Sequence, residues 1–210
     1  MSHDDFAVEP VPGLPETPPK GEVILWQGRP ETWALARQSL NLHWIAGYFA
    51  VLAVWRAGVS SASMPMGAAL ATAIPFLVIG LVCCAILLGI AWVQARNTMY
   101  TITTSRVAMR IGAALTVTVN LPFTRIESAD LSLGRNGTGT IALTTAGDVR
   151  LAYMVLWPHL RPWQFKRTQP ALRAIPDAAR VSRILADAAQ TRINQPQVSR
   201  APSRAAVAAE

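Results

Sequence analysis

Between Ala57 and Ala95 the chain carries no Asp, Glu, Lys, Arg or His, and the run stops abruptly at Arg96. Its second part, Ala68 to Val93, is 26 apolar or small residues. At about 1.5 Å of helical rise each, these more than span a hydrocarbon core of roughly 30 Å. The pattern predicts a transmembrane helix. A buried helix of a water-soluble domain would need core on every side, and the basic, strand-like remainder of a 210-residue chain does not supply one.

A second span precedes it. Leu40 to Trp55 is apolar apart from Asn41 and His43, and it becomes long enough to cross if the helix continues past Arg56 to about Val59 with the guanidinium reaching back to the interface. Trp44, Tyr48 and Trp55 lie near its ends, where interfacial aromatics belong. The neutral linker from Ala57 to Gly67 then makes a tight helical hairpin over 40–95, with spans at about 40–59 and 68–93. Arg29 and Arg37 precede the hairpin and Arg96, Arg106 and Arg110 follow it, against Arg56 alone in the loop. The positive-inside rule therefore puts both termini in the cytoplasm of a multi-pass inner-membrane protein. Pro75 predicts a kink or break near one end of the long helix.

Charge is uneven. Residues 1–37 hold three basic and six acidic side chains, whereas 96–210 hold fifteen and six. A basic domain tethered to a bilayer faces anionic membrane lipid, and nucleic acid is not expected as a partner. Cys83 and Cys84 are adjacent and sit inside the apolar run, with no partners for a disulfide or a zinc site.

Residues 1–20 hold five prolines among acidic and small residues, a composition expected to stay extended as a disordered tail. The pre-membrane segment, 21–39, contains the apolar burst Val23-Ile24-Leu25-Trp26, which fits one strand or an interfacial segment. After Arg96 come short alternating runs: Tyr100–Thr104, Val107–Ile111, Leu115–Leu121, Ile126–Leu131, Thr140–Thr144 and Asp148–Tyr153. Leu115, Val117, Val119 and Leu121 keep a strict period of two, and Gly112, Asn136-Gly137 and Gly147 supply hairpin turns. Asp177 opens an amphipathic helix with Val181, Ile184, Leu185 and Ala188 on one face. The soluble domain is thus 96–192, followed by a second disordered tail at 193–210.

Short antiparallel strands followed by one helix match a pleckstrin-homology-like β-barrel or sandwich, so the chain reads as an α+β membrane protein. Gly21-Glu22 to Leu25-Trp26-Gln27-Gly28-Arg29-Pro30 before a hairpin, then Tyr100-Thr-Ile-Thr-Thr-Ser-Arg106-Val107 opening the sheet, resembles the bacterial membrane-anchored pleckstrin-homology-like (YdbT-type) family. The segments Trp44-x-Ala46-Gly47-Tyr48-Phe49-Ala50 and Leu156-Trp157-Pro158-His159-Leu160-Arg161-Pro162-Trp163 are similar to those of photosynthetic complex assembly factors of purple bacteria. That resemblance implies a role in joining the reaction centre to its light-harvesting 1 antenna, with their subunits as partners; a homo-oligomer stays open.

The residues themselves show no paired carboxylates near a histidine, no Gly-rich phosphate loop and no Cys/His metal spacing, so no enzyme, no catalytic residue, no metal and no cofactor are expected. His43 could ligate a chlorin or haem, or simply meet the headgroups. The candidate partner- or membrane-binding surface is Leu156 to Arg173. It combines Trp157, Trp163 and Phe165 with Arg161, Lys166, Arg167 and Arg173, and prolines 158, 162 and 170 keep it extended. The alternative is that both tryptophans pack this connection onto the sheet.

Overall fold

The computed structural model describes residues 10–112, 116–147, 152–162, 164 and 167–194. Strand β1 (Ile24–Gly28) and helix α1 (Thr32–Gln38) lead into α2 (Leu42–Ser60), a short α3 (Met66–Ala71) and α4 (Ile74–Asn97). Then follow β2 (Met99–Thr103), β3 (Arg106–Ile111), β4 (Val117–Pro122), β5 (Ile126–Leu133), β6 (Gly139–Thr145), α5 (Tyr153–Leu156), β7 (Ala171–Ile175) and α6 (Ala178–Asn194).

Two helical segments, Leu42–Ser60 and Met66–Asn97, are long and apolar enough to cross a membrane, and only 11% of each apolar window is buried. Pro75 sits in the first turn of α4, where its missing N–H would have had no helical partner. The long span is therefore broken at Thr72–Ala73, and at the break the Thr72 hydroxyl lies 3.2 Å from that of Ser60 at the end of α2. The helices approach closely at Gly80, where a Cβ would stand 2.7 Å from the Cβ of Phe49.

The strands form two antiparallel sheets, ordered β1-β2-β3-β4 and β5-β6-β7. Among the described residues these are separate sheets. β1 pairs with β2 across the whole hairpin, with Trp26 opposite Ile102 and Gln27 opposite Thr101. The alternation in β4 puts Leu121 opposite Val107 and Val119 opposite Met109, on the side facing the core. One cluster unites the sheets and α6: Tyr100, Ile102 and Met109 from the first, Ile141 and Leu172 from the second, and Val181 and Leu185 from the helix.

Several expectations need correction. Residues 10–14 are not a loose tail: Leu14 is buried, Val11 bridges it, and Gln27 donates to the Pro12 carbonyl at 3.0 Å. Gly13 has a φ of 84° and lies so close to Met99 that a Cβ would overlap it, which ties this turn to β2. Of the strand expected at Asp148–Tyr153, residues 148–151 lie outside the described residues, and Tyr153 opens α5. The stretch after Leu156 is not surface throughout, because Ala171–Ile175 is a fully buried strand paired with β6. Of the expected C-terminal tail, residues from 195 onward lie outside the described residues.

Candidate functional site

The hairpin meets the domain through α1. Its small, apolar face places Leu35 between Ala95 of α4 and Ala174 of β7, while Ala36 packs with Leu40, Leu42 and Ala91. Ala174 takes a left-handed φ of 52°, and its carbonyl accepts the Glu31 N–H at 2.8 Å. This contact joins the entry of α1 to the last strand.

Beside it lies a buried polar cluster built from three distant segments. The Tyr100 hydroxyl accepts the Arg173 backbone N–H at 3.2 Å and is within 2.5 Å of His159 Nδ1. His159 Nε2 lies 3.1 Å from Thr98 Oγ1, so the ring bridges the Tyr100 and Thr98 hydroxyls. Burial pushes the His159 pKa down to about 3, with the Arg173 charge adding to the effect, so the ring is neutral at ordinary pH. Burial also pushes the Tyr100 phenol upward.

Arg173 is 7% exposed. Its guanidinium donates to the carbonyls of Pro158 and Leu160 through Nη1 and to that of Gln38 through Nη2, at 3.4, 3.2 and 2.6 Å. It thereby ties β7, the loop after α5 and the end of α1 together. Its pKa is held below the usual guanidinium value by burial, with Tyr100 and Tyr153 acting against that shift. Nε has no partner among the described residues.

A cleft of about 630 Å³ opens against this cluster. Arg37 and Gln38 of α1, Asn41 and His43 at the start of α2, Arg161 and Arg173 line one part; Asp130, Ser132 and Thr140 from β5 and β6 line the other. Arg161 donates to Asp130 at 2.7 Å and to Gln169 at 3.2 Å. A smaller adjoining cavity shares Asn41, Pro162 and Arg173 and reaches Trp157.

Of the residues expected on the interaction surface, Trp157 is on the outside at 43% exposure, Arg161 is half-buried in its ion pair, and Arg167 is exposed. Arg173 is corrected: it is an internal tie, because three backbone carbonyls draw it under the surface. Trp163, Phe165 and Lys166 lie outside the described residues. His43 lines the cleft beside Trp44, with ring centroids 5.7 Å apart. No group of three or more His, Cys, Asp or Glu able to hold a metal forms among the described residues. Sequence reading missed Arg37, Gln38, Asn41 and Asp130 as cleft residues, and Thr98, Tyr100 and His159 as a cluster. Only His159, flanked by Trp157-Pro158 and Leu160, gave a local sign, since a histidine amid apolar and rigid neighbours is placed for burial.

Two antiparallel sheets closed by a C-terminal helix, with an apolar hairpin inserted after the first strand, define a pleckstrin-homology-like domain carried on helices suited to a membrane. The chain belongs to the bacterial PH domain family, whose profile matches residues 45–189. It is 49% identical, over 211 aligned positions spanning 100% of this chain and 99% of the other, to a Rhodobacter capsulatus protein described as an uncharacterized 23.7 kDa protein in the puhA 5′ region. No solved structure matches.

Proposed function

We propose that this chain is a non-enzymatic, multi-pass protein of the bacterial inner (cytoplasmic or intracytoplasmic) membrane that assists assembly of the photosynthetic reaction centre with its light-harvesting 1 antenna. The observation that carries this reading is the end-to-end similarity to the Rhodobacter capsulatus protein described as lying in the puhA 5′ region. The similarity of the Leu156–Trp163 segment to that of the assembly protein PuhB of purple bacteria points the same way. Subunits of the two complexes are its proposed partners, and Trp157 offers them a large exposed side chain.

The pairing of β1 with β2 supports a single side for both outer ends of the hairpin. The excess of arginine at those ends supports the cytoplasm as that side. Deleting the gene in a phototrophic host should lower the assembled reaction-centre and light-harvesting 1 complex while bacteriochlorophyll synthesis continues. Failure of pigment synthesis with normal accumulation of the apoproteins would overturn the reading. A second reading, a general membrane-anchored scaffolding or lipid-binding module, is favoured by the cationic cleft at the hairpin's base.

A further inference from the structure

We propose that the cleft between α1, the start of α2 and the β5–β6 pair is a binding site for the phosphate of an anionic phospholipid headgroup. The inference deepens the lipid-binding reading and does not rest on the assembly role.

Charge is the first argument. Arg37, Arg161 and Arg173 line the cleft against one carboxylate, Asp130, which Arg161 already holds at 2.7 Å. Two guanidinium groups are left to balance. Arg173 is more than nine-tenths buried, its guanidinium donates to the carbonyls of Pro158, Leu160 and Gln38, and its Nε has no partner among the described residues. A buried cation held only by neutral dipoles keeps much of its desolvation cost, and an anion entering beside it offsets that cost. Arginine is also the side chain whose planar fork matches phosphate oxygens.

Position decides between a lipid and a free anion. Asn41 and His43 in the lining are the N-cap and first turn of α2, a helix long and apolar enough to cross a membrane. Trp44 follows at 72% exposure. Asn41 and Trp157 both line the adjoining cavity, and Met154 and Val155 of α5, the short helix just before Trp157, have exposed apolar side chains. These exposed apolar groups mark the level at which water gives way to acyl chains, so the cleft mouth opens at headgroup depth. Its volume lies within the usual range for small-molecule sites, about 300–1,000 Å³.

The test uses the full-length protein purified in a neutral detergent, with lipid retention read by native mass spectrometry. Wild type should retain phosphatidylglycerol in preference to phosphatidylcholine. Arg37→Gln should lower that retention about fivefold, the weight of one basic side chain at an anionic surface. Ser132→Phe should lower it by filling the cleft without changing charge. Arg180→Gln, on the exposed face of α6, should leave it unchanged. Arg173→Lys is a second charge-preserving probe, expected to weaken retention through loss of the fork while the thermal midpoint reports folding.

Equal retention of the two lipids, or unchanged phosphatidylglycerol retention in both Arg37→Gln and Ser132→Phe, overturns the proposal. Inorganic phosphate separates the sources: protection from thermal unfolding by millimolar phosphate that matches protection by phosphatidylglycerol would make this a free-anion site and overturn the lipid assignment. Should Arg37→Gln fail to fold, Ser132→Phe and Arg180→Gln still decide between site and surface binding.

Discussion

The hairpin and the domain use the same apolar residue types and bury them in opposite ways. In the domain Ile102, Ile141, Leu143 and Leu172 have no exposed surface. In the hairpin Leu81, Val54 and Trp55 are each more than 70% exposed, and the close approach of α2 to α4 falls on Gly80. Removal of apolar area from water holds the domain together, at roughly 25 cal/mol per Å². In the proposed membrane setting that driving force vanishes, and helices associate through close packing of small residues and a few polar contacts such as Ser60 with Thr72. On the proposed membrane reading one chain is stabilised by two different solvents, and α1 is the wedge where they meet.

The largest effect that would test this contrast comes from one substitution made in both places. Leu172→Ala should cost about 2–5 kcal/mol, whereas Leu81→Ala should cost under about 1 kcal/mol because lipid fills the space. Denaturation of both variants in the same bilayer mimic measures the difference, and similar losses would break the comparison. Next in size, Gly80→Leu should push α4 away from Phe49 and the rest of α2 and cost about 1–3 kcal/mol, although truncation at its neighbour Leu81 should be tolerated.

A third effect belongs to the wedge region and depends on pH. Above pH 6.5 the His159 ring is neutral whether folded or not, and its cluster contributes in full. Below that value the unfolded chain takes up a proton that the folded chain refuses until about pH 3, so stability falls as pH falls through this window. The slope is up to about 1.4 kcal/mol per pH unit. His159→Gln should be less stable at pH 7 yet lose less between pH 7 and pH 5; thermal midpoints at the two values test it, and an unchanged slope would remove His159 as the cause. The smallest effect is the coupling of Arg161 to Asp130. Both side chains are substantially solvated, at 43% and 56% exposure, so a double-mutant cycle should give about 0–1 kcal/mol.

The hairpin, the antiparallel strands and α6 were legible because each carries its own period: a long apolar run, an alternation of two, or spacings of three and four. β7 has no such sign. Ala171-Leu-Arg-Ala-Ile175 is buried on both faces and lies between Pro170 and Pro176, so it does not alternate. Arg173 looked like surface because arginine usually is, and what reverses this is three carbonyls brought in from Gln38, Pro158 and Leu160. α1 is a two-turn helix whose buried face is mostly alanine, too short and too mildly apolar to announce itself. The cleft could not be read locally, since its walls are separated by the hairpin and three strands. Trp157 was legible as a large side chain near an interface, but its exposure was decided by the turn that follows α5.

The pairing of β1 with β2 also sets a clock. The Gln27 side chain bonds to Thr101, 74 positions later. At about 5–20 residues per second of synthesis, β1 waits roughly 4–15 s after leaving the ribosome for its ladder partner. Made in that interval are α1 and the hairpin. The ribosome thus delivers the sheet's first strand, then the membrane segment, then the strand that completes the pair. A hairpin that fails to bring its second end back to the starting side leaves β1 with an open edge and the domain without its first strand. On the proposed topology, closure of the sheet is in this way a receipt for correct insertion, issued by the order in which the chain is made.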